Sequence, residues 1–215
     1  MSGMAGLGKI LCYNSYMPTQ LILASSSSTR AEMLRAAGLE IAVQPARVDE
    51  SSIKASLMAE GAPARDIADA LAEAKARRVA MRNPDAFVIG ADQVLICQGQ
   101  LFDKPETIDE ARAQLRTLRG QKHELLSAVV IYHQAQPVWR FIGTAQLVMR
   151  SFSDSFLEDY LQSEGRDLFA TVGAYQLEKR GAQLFSAVKG DYFSILGLPL
   201  LELLDFLRVR EICQT

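Results

Sequence analysis

Cysteine and histidine are scarce in this chain: Cys12, Cys97 and Cys213 are the only thiols, and His123 and His133 the only imidazoles. Three scattered cysteines without a Cys-x-x-Cys pair build no disulfide framework, and with two histidines they make no Cys/His metal cage. A reducing, cytoplasmic compartment is the natural expectation. Charge of one sign is also lacking. Lys and Arg total 23 against 25 Asp and Glu, a formal net charge of −2. No general basic field is present to hold nucleic acid, so any polyanion must be met by a local cluster of cations. Long apolar runs are absent too, because Gly, Pro or charges interrupt each one before it reaches the ~20 residues that span a bilayer. Neither a nucleic-acid nor a membrane partner is expected.

What is present is ordinary globular material. With 215 residues, 49% apolar and 22% charged, the chain can build one compact α/β unit or two small lobes around one cleft. Residues 1–17, with one lysine and a short apolar patch, are too weak for a signal peptide and read as a flexible extension. Residues 18–215 read as a single domain, with neither a repeat nor a separating linker. Short apolar runs at 20–24, 39–43 and 87–91 predict strands, the last of them central. Residues 94–96 and 101–102 around Gly99 predict a hairpin, and 125–132 with 138–149 two further strands. Helices are expected at 30–37, capped by Thr29 and Glu32, then at 66–81, 107–118 and 153–162, and from Leu198-Pro199 onward. Residues 44–62 read as a loop with some helical character, and 173–177 and 183–188 as strands or extended loop. Hairpins mixed with crossover helices imply a mixed sheet.

Several segments carry chemistry. The run Ser25–Ser28 lies between a strand and a helix, where unpaired N–H groups and the helix dipole suit phosphate. Arg30 there points along the buried face, although a polar turn with one amphipathic arginine explains that segment equally well. Lys75 shares an apolar stripe with Ile67, Leu71 and Val79. An inward ammonium needs an anion, but Arg78 lies near the same stripe and long cations snorkel. Asp92 follows an apolar strand in Gly90-Ala91-Asp92-Gln93, where a carboxylate either serves Mg²⁺ or a water proton, or simply caps the strand end. Val48-Asp49-Glu50 and Asp103-Lys104-Pro105 add an acidic pair and a cation. Together these provide carboxylates, cations and a helix N-terminus, the set a metal–triphosphate needs. Neither histidine is placed to serve, since both fall in or near a predicted hairpin.

These segments, taken in order, resemble the Maf-like family. LILASSSSTR resembles its N-terminal signature, LILAS-x-SPRR, and VDE, LAEAKA, GADQV, DKP, Thr144, GAYQLE and GDYFSILGLPL follow in family order between about Gln20 and Arg208. The resemblance implies a Maf/inosine-triphosphatase-like α/β fold, with a long mixed sheet and two lobes around a central cleft. It implies a nucleoside triphosphate pyrophosphatase that yields monophosphate and pyrophosphate with Mg²⁺, Mn²⁺ or Co²⁺, in a chain that forms a homodimer. It implies catalytic roles for Asp92, Glu50 and Lys75, with Asp92 and Glu50 as metal ligands. Ser25, Ser27, Arg30 and Lys104 would bind phosphate, and Gln93 and Glu178 would meet the base. It also carries a link to septum formation, and so an alternative of a nucleotide-binding regulator without essential turnover. Two positions depart from the pattern: Thr29 stands where an arginine is usual, and Lys179 where a glycine is usual.

Gln93 and Glu178 resemble the 7-methyl-GTP subgroup, while GAY resembles the dTTP/UTP subgroup. A carboxylate can accept from guanine N1–H and its exocyclic amine together and favours a cationic methylated ring, which tilts the expectation towards a modified purine. On a regular strand Asp92 and Gln93 face opposite sides, so Gln93 is expected to need a bend near Gly90 to reach the base.

Overall fold

A computed structural model describes residues 20–213; the expected extension at 1–17 lies outside them. In chain order the elements are β1 (Leu21–Leu23), α1 (Ser28–Ala36), β2 (Ile41–Val43), α2 (Glu50–Ala59), α3 (Ala64–Ala80), β3 (Phe87–Cys97), β4 (Gln100–Phe102) and α4 (Ile108–Leu118). There follow β5 (Lys122–His133), β6 (Gln136–Met149), α5 (Asp154–Glu164), 3₁₀ turns at Gly165–Ala170 and Arg180–Leu184, β7 (Phe185–Lys189), α6 (Tyr192–Ile195) and α7 (Leu200–Val209). The sheet runs β2-β1-β3-β5-β6-β7, with β4 also on β3. β1 pairs parallel with β2 and β3 and every other pairing is antiparallel, so the sheet is mixed.

Alternation along the strands sorts the core. Ile22, Val88 and Val130 face α3, while Leu23, Ile89 and Ile131 face α1 and α7. Farther along the same strands, Leu95, Leu125 and Leu147 pack on α4, α5 and the first 3₁₀ turn. The two ends of one sheet are thus dressed by different helices, which gives the two lobes, and the cleft opens between them. No described helix is long and apolar enough to cross a membrane.

Three departures from the expected elements matter for the site. First, residues 50–59 form a helix, because Asp49 caps it by accepting from the Ser52 N–H and both neighbouring serine hydroxyls. Those bonds push the Asp49 carboxyl down to about 2. Second, α1 begins two residues early, on Ser27, whose hydroxyl accepts from the Arg30 N–H; the Thr29/Glu32 capping box does not form. Third, 87–91 and 94–96 are one unbroken strand, and of the two alternatives for 173–177 the strand does not form: the segment is irregular chain and turns outside the sheet.

The edge of β3 that faces β1 holds the key to the cleft. β1 pairs with Phe87–Ile89 and β4 with Leu95–Cys97, so 90–94 have no strand on that side. Backbone groups at such a gap must find other partners. Here the Ala24 N–H donates to the Ile89 carbonyl, and the Arg30 guanidinium to the Ala91 carbonyl.

Candidate functional site

All nine residues singled out from the sequence line one cleft: Ser25, Ser27, Arg30, Glu50, Lys75, Asp92, Gln93, Lys104 and Glu178. Its floor is the open edge of β3. A ligand approaching an open edge meets side chains from both faces, so Asp92 and Gln93 both reach the cleft from a regular strand, and the expected bend is absent.

One wall is the start of α1. The Ser25 hydroxyl accepts from the Ser27 N–H at 3.2 Å and from Arg30 Nη1 at 3.3 Å, which leaves its own proton to donate outward. Ser27 is in the same position, its oxygen taken by the Arg30 N–H. Arg30 is only 9% exposed and largely committed: Nε donates to the Gly197 carbonyl at 2.8 Å and Nη1 to Ala91 at 2.9 Å. Its guanidinium therefore ties α1, β3 and the turn after α6 together, with Nη2 left for a phosphate. Burial pushes its pKa down, and Asp92 and Glu50 pull it back up.

Lys75 closes the second wall. Ile67, Leu71, Lys75 and Val79 are all buried on α3, whereas Arg78 is exposed, so snorkelling describes Arg78 and not Lys75. The Lys75 ammonium lies 2.6 Å from Asp92 Oδ1 and 2.9 Å from Glu50 Oε2. Asp92 is itself 8% exposed, so the pair is shielded from solvent. Gly90 allows this closeness, because α3 packs directly on its Cα. The first residue of α2 delivers Glu50, and Lys54 of the same helix pairs with Asp103, next to Lys104. Lys104 stands at the rim. Partial burial lowers its pKa, and repulsion from Arg30 and Lys75 lowers it further.

The third wall carries the base-side candidates. Gln93 Nε2 donates to the Ser127 hydroxyl at 2.9 Å and to the Ser194 and Ile195 carbonyls at 3.1 and 3.0 Å. Two of these acceptors are carbonyls, which fixes the amide's orientation and presents Oε1 to the cleft as an acceptor. Glu178 lies exposed on the turn at 173–178, beside Tyr175, Gln176 and Leu177. Lys179 has φ −122°, so the lysine in place of glycine carries no strain; the left-handed residues of this turn are Gly173, at φ +81°, and Ala174, at φ +57°. The Lys179 ammonium pairs with Asp167 at the surface.

His123, set aside together with His133 in the sequence reading, lies against this wall. It is 1% exposed, with Nε2 2.8 Å from the phenol of Tyr175, directly behind the third wall. The periodicity of β5 marks it as inward-facing, but no spacing rule links residues 123 and 175. Burial pushes its pKa down to about 4. The unfolded chain takes up the proton near 6.5 and the folded chain does not. Stability is therefore intact above that value and is lost as pH falls towards 4, by an amount approaching ~3 kcal/mol. Thermal melts between pH 7 and pH 4 should show this loss in the native protein and a shallower one in His123→Phe; parallel curves would refute it.

Among the described residues no three His, Cys, Asp or Glu side chains gather as a metal cage. Asp92 and Glu50 nevertheless fit a hard cation of the kind held by one or two carboxylates plus substrate phosphates and water. The cleft's charges lead to the same point. Arg30, Lys75 and Lys104 are balanced by Glu50, Asp92 and Glu178, so a triphosphate needs further positive charge.

A family profile described as Maf-like protein matches residues 20–210. A nucleoside triphosphate pyrophosphatase of Ruegeria pomeroyi is 50% identical over 199 residues, 93% of this chain and 100% of the relative. One from Caulobacter vibrioides is 50% identical over 192 residues, covering 89% and 96%. Another, from Rhodospirillum rubrum, is 50% identical over 188 residues, covering 87% and 93%. With the profile spanning nearly all described residues and the cleft formed by the same motifs, the chain belongs to the Maf-like protein family.

Proposed function

We propose that this chain is a nucleoside triphosphate pyrophosphatase that hydrolyses the α–β phosphoanhydride to a nucleoside monophosphate and pyrophosphate. The carrying observation is the Lys75 ammonium shared by Asp92 and Glu50, opposite the N-terminus of α1. The names of relatives at about half identity support the same reaction class.

In this reading the Ser25 and Ser27 hydroxyls, the first N–H groups of α1 and Lys104 hold the phosphate chain. Lys75 neutralises charge that builds on the phosphate oxygens at the cleavage point. Asp92 Oδ1 is held by Lys75, which leaves Oδ2 to orient the attacking water and accept its proton. Asp92 and Glu50 would hold a Mg²⁺, Mn²⁺ or Co²⁺ ion, whose chemistry is Lewis-acid polarisation of phosphate oxygens. The free thiols of Cys97 and Cys213 support a cytoplasmic setting.

For the base, Gln93 Oε1 and the Glu178 carboxylate are both acceptors, which suits the adjacent N–H donors of a guanine edge and favours 7-methyl-GTP over dTTP or UTP. The regulator without turnover draws less support, since Lys179, one of the two departures behind it, is unstrained.

The test is pyrophosphate release with each metal over 7-methyl-GTP, GTP, dTTP, UTP, CTP and ITP. Preference for 7-methyl-GTP is the expected result. Preference for dTTP or UTP would keep the reaction and overturn the base assignment, and silence on all six would move the binding-protein reading to the front.

A further inference from the structure

The turn at 171–178 forms one wall of the cleft without belonging to the sheet. Its internal ties are the Thr171 hydroxyl on the Tyr175 carbonyl at 2.7 Å and the Lys179 N–H on the Gln176 carbonyl at 3.2 Å. From α5, the Tyr160 hydroxyl reaches the Ala174 carbonyl at 3.2 Å. Among the described residues, its one hydrogen bond to a strand of the sheet is Tyr175 to His123 on β5. Around that bond the Tyr175 ring meets Phe185 edge-on at 4.8 Å, and Phe185 lies 5.9 Å from the His123 ring. The phenol is thus clamped between a strand and the core of the second lobe.

Core packing alone does not account for an imidazole here. His123 Nδ1 is buried and has no partner. If Nε2 accepts the phenol proton, an N–H is stranded at Nδ1; if Nε2 donates, a lone pair is stranded there. Either way a buried polar group is left unmatched, which destabilises the fold relative to an apolar ring of the same size. What the imidazole supplies in return is a fixed endpoint for the Tyr175 hydroxyl. The next three residues, Gln176, Leu177 and Glu178, all line the cleft.

We propose that His123 is a positioning residue for nucleotide binding: through Tyr175 it anchors the 173–178 turn to the sheet and so fixes the wall that meets the base. This rests on the nucleotide reading of the cleft. Lys75, Asp92 and Glu50 come from α3, β3 and α2 and share no hydrogen bond with the pair. The anchor therefore acts on binding, with little effect on the chemical step.

The experiment compares wild type with His123→Phe, Tyr175→Phe, the double variant and His123→Gln, which keeps an amide to meet the phenol. The readouts are Tm at pH 7.5, the dissociation constants for the α,β-methylene analogues of GTP and UTP, and KM and kcat on the best nucleotide. The double variant should melt no lower than wild type, whereas His123→Phe alone strands the buried Tyr175 hydroxyl and should melt somewhat lower while still folding. The KM of His123→Phe and its Kd for the better analogue should rise about tenfold, with kcat within about threefold. The double variant should bind no worse than either single one, because the two changes remove the same bond, and His123→Gln should recover most of the loss. Unchanged KM and Kd in a well-folded His123→Phe would overturn the proposal, as would a fall in kcat alone. Should His123→Phe fail to fold, Tyr175→Phe alone decides by the same criteria. A wild type that binds neither analogue and cleaves nothing defeats the nucleotide reading itself, whereas equal binding by wild type and variant defeats only the anchor.

Discussion

Asp92→Asn should lower pyrophosphate release about 10³-fold, in the range that removal of a general base produces, while an α,β-methylene nucleotide still binds. The substitution is nearly isosteric at a position only 8% exposed, so no cavity opens. Lys75 loses one anion but keeps Glu50 at 2.9 Å, so the ammonium is not stranded in the cleft wall. The amide cannot take a proton from water and is a poor partner for a hard cation. Glu50→Gln should fall less steeply, because its side chain is half exposed and solvent can substitute for part of it. Initial rates and analogue titration on the same preparation separate turnover from binding. A rate within a few-fold of wild type would remove Asp92 from the chemistry.

Gly90→Ala should be severely damaging for a single methyl group. A Cβ at Gly90 would lie 2.2 Å from the Ala72 carbonyl oxygen, 2.6 Å from the Ala76 nitrogen and 2.8 Å from the Ala76 Cβ. Two of these are helix backbone atoms, so no side-chain rotation relieves the overlap. The whole of α3 must retreat from β3, and tightly packed interiors yield to such insertions at about 1–3 kcal/mol or more. Lys75 precedes Ala76, so the same retreat pulls its ammonium off Asp92. A large drop in Tm is expected, and any protein recovered folded should be nearly inactive even at low temperature. A Gly90→Ala protein with native Tm and native rate would show that α3 and β3 do not pack as described.

How much of this could be read from residues alone varied by element. The apolar stripe of α3, the buried strand at 87–91 and the serine-rich helix start were legible because each is a local period or a local cap. The ordered motifs also named nine of the residues that line the cleft. α2 was legible only as a loop with some helical character, because none of its residues is fully buried and its apolar face is short, no more than Ile53 and Leu57 packed partly against the α3 cluster. The reach of Gln93 to the cleft was hidden as well. It depends on where β1 stops and β4 begins on the edge of β3, a relation between three strands that spacing within one strand does not express. His123 was set aside because it falls in a predicted hairpin; its contact with Tyr175, 52 residues away, is not expressed by any local spacing.

The lengths of the central strands bear on how the cleft can work. β3, β5 and β6 run 11, 12 and 14 residues and pass unbroken from one lobe into the other. The cleft is bounded by two regions of a single hydrogen-bonded beam and not by two bodies on a hinge. Swinging the lobes together would bend many ladder bonds at once, a deformation with no soft axis. The enzyme must therefore meet its nucleotide with a mouth of nearly fixed gape: the 173–178 turn is held to β5 through Tyr175, and adjustment falls to α2, which lies outside the beam and has no fully buried residue. Discrimination in such a molecule is a matter of rigid fit at the walls and not of domains that open and close.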